Sequence, residues 1–213
     1  MKIAVFGANG KTGRHVVEQA LERGYEVRAF VYDSQIDSEQ EELTQIVGDV
    51  TKIGDVKRAL KDADAVISVL GHSPKTLKRN PNMHQDGIAN IITAMNEFSV
   101  KRLVSLTGSG VRGAEDRPGL LDRVLNFGLS VVANRMIADG RAHAELIKQS
   151  ELDWTIVRAL KLMNGAQTGS YAVKDFVQPR MKATISRGDV ADFMLRNLQE
   201  DAYIKKMPVI YKE

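Results

Sequence analysis

The residues whose types and spacing most clearly promise chemistry stand near the start of the chain: Gly7-Ala8-Asn9-Gly10-Lys11-Thr12-Gly13, a G-x-x-G-x-x-G run. Each glycine has a physical use. Gly7 permits a tight turn out of a strand, Gly10 lets backbone approach a bulky anion, and Gly13 lets a following helix pack close to the sheet. A helix that opens there offers unpaired N–H groups and a partial positive charge, which suits a pyrophosphate. Asn9, Lys11 and Thr12 fill the intervening positions and belong to the same candidate loop. The run is not a P-loop, which needs four residues between its glycines and a Gly-Lys-Ser/Thr ending. A glycine-rich turn without a ligand is the plain alternative.

Other candidates fall at the ends of apolar runs. Asp33 follows Gly13 by 20 residues, next to Tyr32. A carboxylate there suits the 2′-hydroxyl of an NAD ribose and repels the 2′-phosphate of NADP. Asp49, followed by Val50, is placed to accept from an adenine amine. Leu70-Gly71 and Thr107-Gly108 are placed to border the adenosine and the nicotinamide ribose. Ser109 and His72 are the candidates for side chains near the reacting atoms. Asp and Gly also favour strand ends for turn chemistry alone. His15 reads as a solvent-facing helix residue, and His84 and His143 as surface or helix-packing residues. No histidine pair has metal-ligand spacing with a carboxylate. Trp154 reads as core, and Met163 is a candidate wall of an acceptor site.

The elements that must position these groups alternate between two periods, as in a parallel sheet with crossover helices. Strands are expected at Ile3–Phe6 and Val27–Val31, a third led by Ile46-Val47 and ending at Gly48-Asp49, then at Ala65–Leu70, Leu103–Thr107 and Trp154–Val157. Val16, Val17, Ala20 and Leu21 share one helical face, with Gly24 as its C-terminal cap. Val56, Ala59, Leu60 and Ala63 share another, and Ile88, Ile91, Ile92 and Met95 a third. A further helix is expected around Asp139–Gln149. These features define an α/β protein with a Rossmann-type, doubly wound parallel sheet, read as a single domain over 1–213. Gly165–Ile185 lacks helical periodicity and holds a strand candidate at Tyr171–Val173. We expect the 160–185 region to form a small cap over the carboxyl edge of the sheet. A helix through Val190, Phe193, Met194 and Leu198 and a closing strand at Met207–Tyr211 complete the chain.

The glycine loop, Gly48-Asp49-Val50, Asp64-Ala65-Val66-Ile67 with Leu70-Gly71, and Ser150-x-Leu152-Asp153-Trp154-Thr155-x-Val157-Arg158 stand in register along the chain. Thr168-Gly169-x-Tyr171-x-Val173 and Ile185-Ser186-x-x-Asp189-x-x-x-Phe193-Met194-Leu195-Arg196 extend the series. With these motifs the chain resembles the atypical short-chain dehydrogenase/reductases, and within them the biliverdin-IXβ reductase/flavin reductase proteins and their NmrA-like relatives. The resemblance implies an NAD(P)-binding oxidoreductase that transfers hydride from NADPH or NADH to a flat conjugated acceptor, with a flavin as one possible substrate. It also brings departures. The flavin reductases carry an arginine for the 2′-phosphate where this chain has Tyr32. A second arginine becomes Ser73, and the serine directly after Thr107 becomes Gly108, followed by Ser109. Alanine stands at 159, where NmrA-like relatives often have proline. Lys11 and Arg14 are candidate replacement cations.

A Tyr-x-x-x-Lys pair, in which lysine lowers the tyrosine pKa for proton exchange, is absent: none of the five tyrosines has lysine four residues on. Reduction of a flavin requires no such acid, since solvent can supply the proton and alignment does most of the work. The rival expectation is a non-enzymatic NmrA-like redox sensor that signals to a protein partner. A third is an assembly protein holding the dinucleotide as a structural ligand. Neither a hydrolase triad nor a Gly-x-Ser-x-Gly elbow can be assembled.

Composition limits the partners. With 30 basic and 27 acidic residues the net charge is +3 and no long block of like charge occurs, so we expect a small-molecule acceptor and no nucleic-acid or membrane partner. Lys75, Lys78 and Arg79 form the densest basic cluster and read as a solvated loop. The absence of cysteine removes thiolate chemistry and fits a reducing compartment. With no apolar run long enough to span a bilayer and no leader-like start, a cytoplasmic location is expected.

Overall fold

The computed structural model describes residues 1–33, 35–38, 40–71, 74–108, 111–113, 116, 131–159, 161–177 and 184–213. Six strands appear first: β1 (Lys2–Phe6), β2 (Glu26–Val31), β3 (Leu43–Val47), β4 (Ala65–Ser68), β5 (Arg102–Thr107) and β6 (Asp153–Ala159). They pair in parallel, in the order β3-β2-β1-β4-β5-β6. The order reverses between β1 and β4, and ligands of open α/β sheets bind in the crevice at that switch point. β10 (Val209–Lys212) adds in parallel beside β6.

Helices cover both faces. α1 (Lys11–Glu22) buries Val16, Val17 and Ala20 against one face. It ends with the Gly24 amide donating to Leu21 O at 2.9 Å and the Tyr25 amide to Ala20 O at 3.0 Å, the paired closure of a Schellman motif. α2 (Ile53–Leu60) and α4 (Met83–Glu97) cover the other face. So does α5 (Val131–Gln149), which packs against α4. α6 (Arg187–Arg196) returns to the first face beside α1. The core accordingly has two layers, one containing Val5, Val17, Ile67 and Met194, the other Phe6, Ile91, Leu103 and Trp154. β4 shows why: all four of its residues are buried, as a strand covered on both faces must be.

Several expectations change in detail. β4 ends at Ser68, not Leu70: Val69 still donates to Phe6 O, and Leu70 then turns toward the ligand crevice. α2 stops at Leu60, and Asp62 at φ 59° swings Ala63 back into the core. The basic cluster is not a loop. Pro74 opens α3 (Pro74–Arg79), a position where its missing N–H is no loss.

The region expected to cap the sheet is divided. β7 (Lys161–Met163) and β9 (Thr184–Ser186) form a separate two-stranded sheet. β8 (Tyr171–Lys174) instead joins the main sheet, antiparallel to β10, as its edge. Hydrogen bonds fasten this region to α6. Ser186 caps the helix through the Asp189 amide at 3.0 Å, and Asp189 Oδ1 accepts from the Thr168 and Gly169 amides. Burial opposes the Asp189 charge, yet hydrogen bonds from Ser186, Thr168 and Gly169 hold its carboxyl below the usual range. Asp192 accepts from Tyr171 Oη at 2.6 Å and pairs with Arg23 at 2.5 Å. The Thr168-Gly169-x-Tyr171 and Ser186-x-x-Asp189 motifs are thus two halves of one contact.

A buried ion pair fixes the carboxyl end of β6. Arg158 and Asp116 have side chains each 2% exposed and meet at 2.5 Å. Arg158 also donates to Met207 O and Asp175 O, while Asp116 accepts from the Gly113 and Val177 amides. Asp116→Ala strands the guanidinium in the interior and should cost about 3 kcal/mol. Urea denaturation measures this, and a loss below about 1 kcal/mol would show that the pair is not the fastening it looks like.

Candidate functional site

The glycine loop is closed by two tight approaches. Gly7 has φ +80°, and a Cβ there would lie 2.7 Å from Val69 O across the switch point. A Cβ on Gly13 would lie 2.1 Å from Gly7 O and 2.6 Å from Ala8 O, so only glycine lets α1 start this close to β1. Gly10 is different: φ is −71° and its nearest obstacle is Gly7 O at 3.1 Å. A side chain there requires Gly7 O to give by only a few tenths of an ångström, a far smaller demand than at Gly7 or Gly13. Among the described residues no side chain caps α1, so its first N–H groups are left open toward the crevice. Lys11 stands exposed beside them, with no ion pair among the described residues. Arg14 is occupied, its Nε donating to Asn9 Oδ1 at 2.9 Å.

From this loop a cavity of about 1270 Å³ runs along the carboxyl edge of the sheet. Gly7, Asn9, Gly10, Lys11, Thr12, Tyr32, Asp33, Asp49, Val50, Leu70, Gly71 and Thr107 all line it. Gly13 lies beneath, buried at the helix–strand contact. His72 and Ser109 lie outside the described residues.

At the end over β2 and β3, Asp49 Oδ1 accepts from the Thr51 amide and hydroxyl, at 3.0 and 2.7 Å. Its Oδ2 lies 3.8 Å from Arg79. The Arg79 guanidinium also sits over the Tyr32 ring, 5.3 Å from its centroid. The sequence placed Arg79 in a solvated loop. α3 instead carries it to the same corner as Tyr32 and Asp49.

The other end, over β5 and β6, is walled by Met83, Val111, Met136, Ile137 and Leu162, with Arg187 at its edge. Met163, the expected wall, points outward and is 44% exposed. β7 alternates, and its pairing with β9 sends Leu162 inward. On α5 the two cavity-lining positions four residues apart are Met136 and Gly140, so among the described residues this helix lines the cavity with no ionisable pair at that spacing. Tyr171 is unsuited to proton transfer near neutrality, because burial and its hydrogen bond to Asp192 push the phenol well above its ordinary range.

Beneath the apolar wall is a polar contact that sequence periodicity did not reveal. Asp139 of α5 accepts from the His84 and Gln85 amides, at 3.0 and 2.9 Å. These are N–H groups of the first turn of α4, whose own N-cap residue Asn82 makes no side-chain cap. His143, one turn on, is 3% exposed and meets Ser105 Oγ of β5 at 2.9 Å and His84 O at 3.4 Å. The expectation that His84 and His143 serve helix packing fits these contacts, but both also line the cavity.

Burial lowers the His143 pKa to about 4, against the smaller raising effects of the His84 carbonyl and Asp139. Below its ordinary 6.5 the unfolded chain takes up a proton on His143 that the folded chain refuses. Stability from this group is therefore complete above pH 6.5 and falls as the pH drops toward 4. The total is about 3 kcal/mol.

Fold and site together define an α/β protein with the fold of the atypical short-chain dehydrogenase/reductases, its N-terminal loop held against the sheet by Gly7 and Gly13. The chain belongs to the NAD(P)H-binding family, whose model matches residues 7–201. It is 30% identical to an uncharacterised chloroplastic protein of Arabidopsis thaliana, over 98% of this chain and 76% of the other. Among solved structures it is similar to a candidate NAD-dependent epimerase/dehydratase from Bacillus halodurans, at TM-score 0.82 and 23% identity, covering 100% of this chain and 94% of that one. It is also similar to a candidate NADH-flavin reductase from Streptococcus pneumoniae, at TM-score 0.79 and 24% identity, covering both chains fully. These structural likenesses establish the fold. Among the described residues no helix is long and apolar enough to cross a membrane, and no cluster of metal ligands occurs.

Two measurements check this site. Gly10→Asp, with an ordinary φ and a Cβ that asks only a small shift of Gly7 O, should keep the wild-type circular dichroism spectrum yet lose dinucleotide affinity at least tenfold through charge repulsion. Gly13→Val should instead fail to fold, and a stable, well-folded Gly13→Val protein would contradict the close approach. For His143, chemical denaturation between pH 7 and pH 4 should show a steeper stability loss in wild type than in His143→Gln. Parallel curves would rule out the buried neutral imidazole.

Proposed function

We propose that the protein is an NADPH-dependent reductase that delivers hydride to a flat conjugated acceptor of flavin type. The observation that carries this is the continuity of one cavity, from the glycine cradle to an apolar chamber whose α5 wall presents Met136 and Gly140. The cradle binds the pyrophosphate through the N-terminal N–H groups of α1 and Lys11. Thr107 borders the nicotinamide ribose, and Leu70 and Gly71 border the adenosine. Held there, the reduced dinucleotide would supply the hydride and solvent the proton, so that the chain need provide no acid of its own. The protein's share is alignment: the methionine, leucine, isoleucine and valine walls hold an aromatic plane and exclude water. Well-oriented reactants gain on the order of 7–11 kcal/mol in this way without a protein acid.

NADPH is favoured over NADH in this reading by Arg79, the cation that the chain lacks at Tyr32. Stacked on the Tyr32 ring and only loosely paired with Asp49 at 3.8 Å, it is free to turn onto a 2′-phosphate. Asp33 opposes it, but this carboxylate is exposed and screened by solvent.

The test is oxidation of NADPH and NADH by purified protein with excess FMN, together with dinucleotide affinities. Saturable turnover, lost in Gly10→Asp, supports the reductase. Arg79→Ala should weaken NADPH about tenfold, the value of one charge-assisted hydrogen bond, and leave NADH within about twofold. An unchanged NADPH affinity would remove Arg79 from the 2′-phosphate. The absence of an ionisable pair at Met136 and Gly140 also suits a redox sensor, and tight dinucleotide binding with no turnover of any acceptor would favour that reading.

A further inference from the structure

One guanidinium at the acceptor end has no counter-charge among the described residues. Arg187, the first residue of α6, lines the cavity together with Leu162, and its Nη1 donates to Asn164 Oδ1 at 2.9 Å. Among the described residues no carboxylate lies within ion-pair distance of it. The other cavity arginine, Arg79, faces Asp49, and the buried Arg158 faces Asp116. Arg187 is instead held by a neutral amide, which orients the guanidinium and leaves its charge unspent.

Its place in the fold sets it apart from the pyrophosphate cradle. The Gly188 carbonyl accepts from Gln19 Nε2 of α1 at 3.0 Å. Gln19 lies about 12 Å along α1 from Lys11, at 1.5 Å per residue. α6 thus begins alongside the second and third turns of α1, below the turn whose amides face the pyrophosphate. β7 and β9, which bracket this start, extend from the end of β6 and carry the Leu162 wall. The guanidinium belongs to the corner where the apolar chamber opens.

We propose that Arg187, oriented by Asn164, binds an anionic group on the acceptor, so that the substrate class is a flat apolar ring system carrying a phosphate or carboxylate. This rests on the reductase reading, under which the group is the ribityl phosphate of FMN. The chemistry is complementary at both ends: the methionine and aliphatic walls take the ring, and a planar fork of N–H donors takes the anion in a paired, charge-assisted contact. Riboflavin offers the same ring and no anion.

Fluorescence quenching of FMN and of riboflavin, titrated against the NADP-loaded protein, reads this directly and does not require turnover. Wild type should bind FMN at least tenfold more tightly than riboflavin. Arg187→Ala should bring FMN to the riboflavin value and leave riboflavin and NADPH affinities within twofold. Asn164→Ala should lose part of the FMN preference, and Arg187→Lys should restore part of it. Equal binding of the two flavins by wild type would overturn the proposal, as would binding of neither. A loss of NADPH affinity in Arg187→Ala, with FMN preference intact, would assign the guanidinium to the dinucleotide and overturn it equally. The reductase reading fails separately: FMN bound preferentially through Arg187, with no NADPH oxidation, leaves the anion site standing and removes the catalysis.

Discussion

The first turn of α1 rests on backbone, with no side chain between. A Cβ on Gly13 would fall 2.1 Å from Gly7 O, so helix and strand meet at a separation that any other residue would abolish. That approach aims the open N–H groups of α1 at the crevice between β1 and β4. A helix set even one side chain further out would still cover the sheet, but its first amides would be withdrawn from the crevice. The cavity, its two ends and the roles assigned to them all follow from where this helix begins.

Ladder hydrogen bonds stop at the carboxyl edge, and the chain must hold its ligand walls by other means. It uses charged side chains bonded to backbone. Arg158 and Asp116 bind the segments at 113, 175–177 and 207 to one another. Asp189 gathers the 168–169 backbone onto α6. Asp139 closes the end of a helix other than its own. Each charge is buried only because it has several partners, and the converse also holds: removing one partner leaves an ion where water cannot reach it.

Most of the sheet was legible in the sequence, because a buried parallel strand needs consecutive apolar residues and the glycine loop needs its spacing whatever surrounds it. The failures have a common cause, in that they depend on partners remote along the chain. Arg79 read as loop because Pro74 and its basic neighbours carry no apolar face, and only the folded chain places α3 near Tyr32. The cap on α4 was invisible because its acceptor, Asp139, lies 55 residues from His84. Met163 and Leu162 could not be told apart before β7 had a partner to fix its phase. Tyr171–Lys174 was recognised as a strand, but nothing local says that it would pair with β10 at the sheet edge.

α5 carries Met136 and Gly140 on the cavity wall, and between and beyond them Asp139 and His143, which fasten α4 and β5. One helix therefore both shapes the chamber and secures the scaffold around it. Substitutions at 136 or 140 can retune the chamber cheaply only while the helix keeps its rotation, since a small turn about its axis would withdraw Asp139 from the α4 amides. Change in the cavity lining is thereby channelled: the side chains on this wall can vary within the space left by Val111 and Thr107, whereas helix register cannot. A lineage altering what this cavity holds would change residues on this wall long before it could move the wall itself.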